Sequence, residues 1–157
     1  MKKIFVYLFV AIILLSLVGC VKTTPITTPS TSTLEPKNIA DVTWILTSYG
    51  DVTNMTQVLP NWKDITLTFS GTLDGYTGYD GVNYYNGACR IQNDYSITMS
   101  VITSTKIGYS DNPLGIVTQI QTYYDLLLQA KSFSINGYEL AIYCGSGKAL
   151  RFSRLAN

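Results

Sequence analysis

The chain has 157 residues, a formal net charge of +1 and no histidine. That length suits one domain with a single core, and near-neutrality without a basic stripe argues against nucleic acid as a partner. The lack of histidine removes Ser-His-Asp and Cys-His catalysis and every His-ligated metal site.

The chain opens Met1-Lys2-Lys3 and continues with an apolar run from Ile4 to Leu17, interrupted by Ser16. The run is near the length of a secretory signal core and short for a membrane span, which needs about 20 residues. It ends in Leu17-Val18-Gly19-Cys20. A small residue followed by cysteine resembles the lipobox of prokaryotic lipoprotein signals. The resemblance implies cleavage before Cys20 and attachment to it of a diacylglyceryl group, which supplies two acyl chains such as palmitate. Two acyl chains hold stably at a membrane where one does not. An uncleaved anchor helix is the alternative. Either way the rest of the chain is expected outside the cytoplasm, at the cell envelope. Val21 rather than Asp follows the cysteine, which implies the outer membrane in a two-membrane source and the cell membrane otherwise. With residues 1–19 removed, Lys2 and Lys3 leave and the positive charge goes with them.

Lys22 to Asn38 holds six Thr, two Ser and three Pro. Such a composition cannot bury enough apolar surface to offset its ordering entropy, so it reads as a tether. The expected organisation is signal 1–19, lipidated cysteine and tether 20–40, and a folded domain 41–157.

Within the domain, Trp44-Ile45-Leu46 begins a strand. Ile65, Leu67 and Phe69 alternate with Thr66 and Thr68, and Ile97, Met99 and Val101 alternate with Ser96, Thr98 and Ser100. Both patterns predict half-buried strands. Leu73-Asp74-Gly75, Asp80-Gly81 and Asn86-Gly87 read as turns between them. Asp111-Asn112-Pro113 supplies a helix entry. Val117, Ile120, Tyr124, Leu127 and Leu128 then recur at helical spacing, and Tyr123 and Tyr124 split between core and rim. Asn136-Gly137 joins two strands in a tight hairpin, and Gly145-Ser146-Gly147 turns the chain into a last strand with Leu150 and Phe152 facing in. The predicted fold class is α+β: a mostly antiparallel β-sheet, partly closed and barrel-like, with one main α-helix packed against it.

Trp44-Ile45-Leu46, Thr66-Leu67-Thr68-Phe69, Gly78-Tyr79-Asp80-Gly81-Val82-Asn83, Asn86-Gly87, Ser104-Thr105, the helix around Leu127 and the closing segment Leu140 to Phe152 follow one another over residues 42–154. In order and spacing they resemble the META domain, whose bacterial members include heat-inducible envelope lipoproteins. The resemblance implies a non-catalytic domain with a structural or protein-binding role, linked to envelope stress. Many members carry a cysteine just before the motif asparagine and another after the Ser-Thr pair; here those places hold Val82 and Tyr109.

Cys89 and Cys144 remain once Cys20 carries lipid. An even number of cysteines in an oxidising compartment predicts a Cys89–Cys144 disulfide; two separate buried thiols are the alternative. No cofactor or metal is expected, since two cysteines cannot make a four-ligand zinc site. Asp51, Asp64, Asp74, Asp80, Asp94, Asp111, Asp125 and Glu139 are the carboxylates open to paired acid–base chemistry, and most read as solvated turn residues. The Tyr/Gly-rich segment 75–87 has the composition of adaptable binding loops. Tyr76, Tyr79, Asn83, Tyr84 and Tyr85 are therefore a candidate surface for a glycan or peptide. The competing reading makes them turn structure, with Asn83 bonding local backbone. A monomer, with an envelope protein or glycan as partner, is expected.

Overall fold

A computed structural model of the chain describes residues 39–108 and 114–154. The expected signal segment, Cys20, the tether to residue 38, Tyr109 and the Asp111-Asn112-Pro113 helix entry lie outside the described residues. The elements in chain order are β1 (Thr43–Asp51), β2 (Asn54–Gln57), β3 (Thr66–Phe69), β4 (Gly75–Tyr79), β5 (Tyr84–Ile91), β6 (Ile97–Ser104), α1 (Ile116–Leu128), β7 (Ala130–Asn136), β8 (Glu139–Cys144) and β9 (Lys148–Ser153). The strands form one sheet of order β6-β5-β4-β3-β1-β9-β8-β7, with β2 beside β1. Every strand pairing is antiparallel.

The two ends of that order meet. Ser96 bridges Ser132, and the Phe133 N–H donates to the Tyr95 carbonyl at 3.0 Å. The sheet is thus nearly closed like a barrel, with one helix packed against it, as the α+β expectation has it. Alternation explains the filling. Leu67 and Phe69 of β3, Ile97 and Met99 of β6, and Leu150 and Phe152 of β9 are buried; Thr98 and Arg151 between them are exposed, and Thr68 is half-buried. Trp44 is fully buried, donates its Nε1–H to the Ile39 carbonyl at 3.2 Å, and lies 5.5 Å under the Arg154 guanidinium. Each such apolar side chain contributes about 1.5–3 kcal/mol. Ile39 is itself fully buried, so the core includes a residue ahead of the expected boundary at Asp41.

Two expectations shift. The first concerns the helix face, which includes Ile116, Ile120, Tyr123 and Leu127; Val117 and Leu128 are exposed. The stripe is turned because Gln119 shares the buried side, its Oε1 accepting the Leu59 N–H at 2.8 Å. Hydropathy cannot see that bond. The second concerns Asn86-Gly87, which is not a turn but runs inside β5, its backbone paired with Thr77 and Tyr76 of β4. Pairing on both sides of a central strand overrides the local turn preference. The Asn136-Gly137 hairpin forms as expected, with Gly137 at φ 60° and Asn136 opposite Glu139.

Candidate functional site

Segment 75–87 is not a loop. It comprises β4, a turn at 80–83 and the start of β5. Strand alternation therefore sorts its side chains to two faces. Tyr76 and Tyr85 point inward and are only 2% exposed, and Asn83 is 1% exposed. Tyr79 is half-buried, and Tyr84 is 68% exposed. The expected five-residue surface is corrected accordingly: Tyr76, Asn83 and Tyr85 belong to the interior, and Tyr79 and Tyr84 alone face solvent.

On the inner side the turn is built around Asp80, which is fully buried. One carboxylate oxygen accepts the N–H groups of Val82 at 2.8 Å and Asn83 at 2.6 Å; the other accepts the Tyr124 hydroxyl of α1 at 2.7 Å. Gly81 takes φ 94° in this turn, a conformation that costs glycine little. Asp80 thus does the local backbone bonding expected of Asn83. The Asn83 Oδ1 instead accepts the Thr105 hydroxyl at 3.0 Å and the Ile107 N–H at 2.7 Å, tying the turn to the chain after β6. Thr105 also accepts the Tyr84 N–H at 3.2 Å, so Thr105 of the Ser-Thr pair satisfies a backbone group as expected.

Deeper in, the Tyr85 hydroxyl donates to the Thr66 carbonyl at 2.6 Å and pairs with the Tyr123 hydroxyl at 2.6 Å. The Tyr85 ring also packs 5.4 Å from Tyr124 and 6.2 Å from Tyr76. Gly78 makes room for it: a Cβ there would collide with the Thr66 carbonyl and the Tyr85 hydroxyl. The Tyr76 hydroxyl is buried with no hydrogen-bond partner. Desolvation, with the nearby Cys89, pushes Tyr76 up to about 12. Burial likewise holds Tyr85 and Tyr123 well above the usual phenol range. All three phenols stay neutral at physiological pH, and Tyr85 and Tyr123 serve as structural hydrogen-bond groups.

On the outer side, a groove of about 560 Å³ runs over β3, β4, β5 and β6. Thr66, Thr68, Thr77, Tyr79, Tyr84 and Asn86 line it, with Thr43, Thr103 and Thr105 at its borders. A second hollow of about 420 Å³ shares Thr68, Thr77 and Asn86 and extends toward Ser70 and Asp41. Tyr79 is fixed by its hydroxyl, which donates to the Gly81 carbonyl at 3.0 Å, and its ring lies 5.1 Å from Tyr84 at a 50° tilt. The Lys63 ammonium stands 5.9 Å from the Tyr79 ring. The sequence signal for this groove is the Thr-x-Thr pattern of Thr66/Thr68 and Thr103/Thr105, which places hydroxyls on one strand face.

Cys89 and Cys144 are free, buried thiols, so the expected disulfide is not formed. Strand parity correctly puts both on the core side, but it says nothing about their distance around the barrel. Cys89 lies on β5 and Cys144 on β8, so the short way round crosses β6 and β7. Three strand steps amount to about 14 Å along the wall, against a Cα separation of roughly 7 Å at most for a bridge. The Cys89 Sγ contacts the Leu73 and Gly75 carbonyls at 3.5 Å, and the Cys144 Sγ the Ile142 carbonyl at 3.8 Å. Burial pushes each thiol up to about 11, far from a reactive thiolate.

Three further carboxylates fit turn roles. Asp51, Asp74 and Asp94 accept bonds from Thr53, from Thr72 and Ser70, and from Ser96, and these bonds hold each carboxyl below its usual range. Among the described residues, no group of three His, Cys, Asp or Glu side chains could hold a metal ion.

A family model for the META domain matches residues 37–157. No curated protein matches the chain. Three solved structures share the fold. An NMR structure of a protein from Burkholderia xenovorans has a TM-score of 0.61 at 17% identity, covering 77% of this chain and 86% of that one. A second NMR structure has a TM-score of 0.56 at 13% identity, over 76% and 93% of the two chains. A crystal structure of a DUF4847 family protein from Bacteroides vulgatus has a TM-score of 0.52 at 14% identity, over 76% and 96%. At these identities the likeness is one of fold.

Proposed function

The chain belongs to the META domain family, and from that membership we propose that it works as a lipid-anchored, non-catalytic domain at the cell envelope. Its role there is structural or protein-binding, and it contributes to envelope stress tolerance. The observation that carries the reading is the Leu17-Val18-Gly19-Cys20 box ahead of a Thr/Ser/Pro-rich stretch. That combination supports a tethered domain displayed outside the cytoplasmic membrane. The META domain is not a known enzyme family. The non-catalytic reading has further support in a histidine-free sequence and in thiols held protonated by burial.

Labelled palmitate fed to cells should enter the wild-type chain and not Cys20→Ala, and the variant should leave the membrane fraction. Equal labelling of both would defeat the anchor. Crosslinking on intact cells, followed by pull-down, should recover a reproducible envelope partner. A second reading, a glycan- or peptide-binding module on segment 75–87, is favoured by the exposed Tyr79–Tyr84 ring pair bordering a groove.

A further inference from the structure

We propose that the outer groove over β3 to β6 is a binding site for a neutral oligosaccharide, with Tyr79 and Tyr84 as its stacking platform. The inference rests on the second reading above, narrowing its ligand to one class and placing it on named side chains. Four observations lead to it.

First, no charged side chain lines the main groove, and Asp41 enters only at the far end of the adjoining hollow. A neutral ligand loses least hydration there, whereas an acidic one finds no cation in the floor. Second, the exposed Thr77, Asn86 and Thr103 make no side-chain hydrogen bond among the described residues and present hydroxyls and an amide outward. These are donor–acceptor groups suited to sugar hydroxyls. Third, Tyr79 is locked by its bond to Gly81, and Tyr84 leans on it while remaining 68% exposed. The platform is therefore ordered before any ligand arrives, which lowers the entropy cost of binding. Fourth, the groove lies on a sheet face whose strands β3, β4, β5 and β6 are paired with one another. An extended peptide binds best by adding to a free sheet edge through backbone bonds, whereas the floor strands β3, β4 and β5 are each paired on both sides and the end strand β6 only borders the groove. From Gly75 in the adjoining hollow to Tyr79 in the groove the two together span about 14 Å along β4, the reach of a short oligosaccharide rather than of one sugar.

The full-length chain, purified in a sugar-free detergent, is applied to an array of neutral and acidic glycans and to an extended-peptide library. Retained glycans are then titrated by calorimetry. Neutral glycans of two to four sugars should be retained. Tyr84→Ala should weaken their binding about tenfold, Thr77→Val severalfold, and Tyr143→Ala on β8 not at all, with thermal unfolding of all three close to wild type. Retention of acidic glycans or peptides alone, no retention of neutral glycans at millimolar concentration, or equal binding by Tyr84→Ala and Tyr143→Ala would each overturn the proposal. Retention of peptides alone, abolished by Tyr84→Ala, would keep segment 75–87 as a binding surface and reject only the sugar. Loss of palmitate labelling bears on the anchor and leaves this result untouched.

Discussion

The two faces of the β4–β5 hairpin are made from the same few residue types and do opposite things. Inside, Tyr76, Tyr85 and the Asp80 turn are packed and closed to water, and Tyr85 and Asp80 are hydrogen-bonded. Outside, Tyr79 and Tyr84 present their rings beside a row of threonines. Tyr84 and Tyr85 are adjacent in sequence, yet one is 68% exposed and the other 2%. A tyrosine therefore takes its role from strand parity. The inner phenols pack the fold, and the outer ones are left over for the recognition proposed above.

Substitutions on the inner face should be felt as stability. The largest effect is expected for Gly78→Ala, whose Cβ meets backbone and the Tyr85 hydroxyl. A loss of about 3–5 kcal/mol in chemical denaturation is expected, at the high end for a point change. A loss under about 1 kcal/mol would mean that the strands part easily there. Asp80→Ala should cost about 2–4 kcal/mol, because it strands the Val82 and Asn83 amides and the Tyr124 hydroxyl. Tyr85→Phe should cost about 1–3 kcal/mol, since the Thr66 carbonyl loses its donor and Tyr123 its partner. Tyr84→Ala is expected to change stability by no more than about 0.5 kcal/mol. A stability loss as large as that of Tyr85→Phe would erase the distinction between the two faces.

Alkali tests the inner face without mutation. Cys89 and Cys144 titrate near 11 in the fold against an ordinary 9, and Tyr76 near 12 against 10. Above pH 9 the unfolded chain releases these protons first, so it is favoured increasingly as pH rises. The unfolding midpoint should hold from neutrality to about pH 9 and then fall through pH 12. A flat profile across that range would show that water reaches these groups. Alkylation of the unreduced, unfolded chain should label both Cys89 and Cys144, whereas the folded chain should resist.

Much of this was legible from side-chain pattern. Thr66-Leu67-Thr68-Phe69 reads directly as a half-buried strand, and Asn136-Gly137 as the turn it forms. Glycine and tyrosine density made segment 75–87 look like a loop, although the adjacency of Tyr84 and Tyr85 already separates the faces once a strand is assumed. The bond between Asp80 and Tyr124 spans 44 residues, and no local signal announces it. The same holds for Gln119, whose partner Leu59 rotates the helix face. The thiols show the limit most clearly. Parity gives direction, but the separation between β5 and β8 depends on how the barrel closes.

The place of β1 in the sheet has a temporal consequence. It lies between β3 and β9, and Ile45 pairs with Ser153 near the end of the chain. The strand that leaves the ribosome first among the nine therefore waits for the last one. Such distant pairing slows folding, because the chain must close a long loop before any contact rewards it. Under the export proposed above, which would thread the chain unfolded through a translocon, that delay would be useful: the wall of the barrel cannot be completed until synthesis has reached β9.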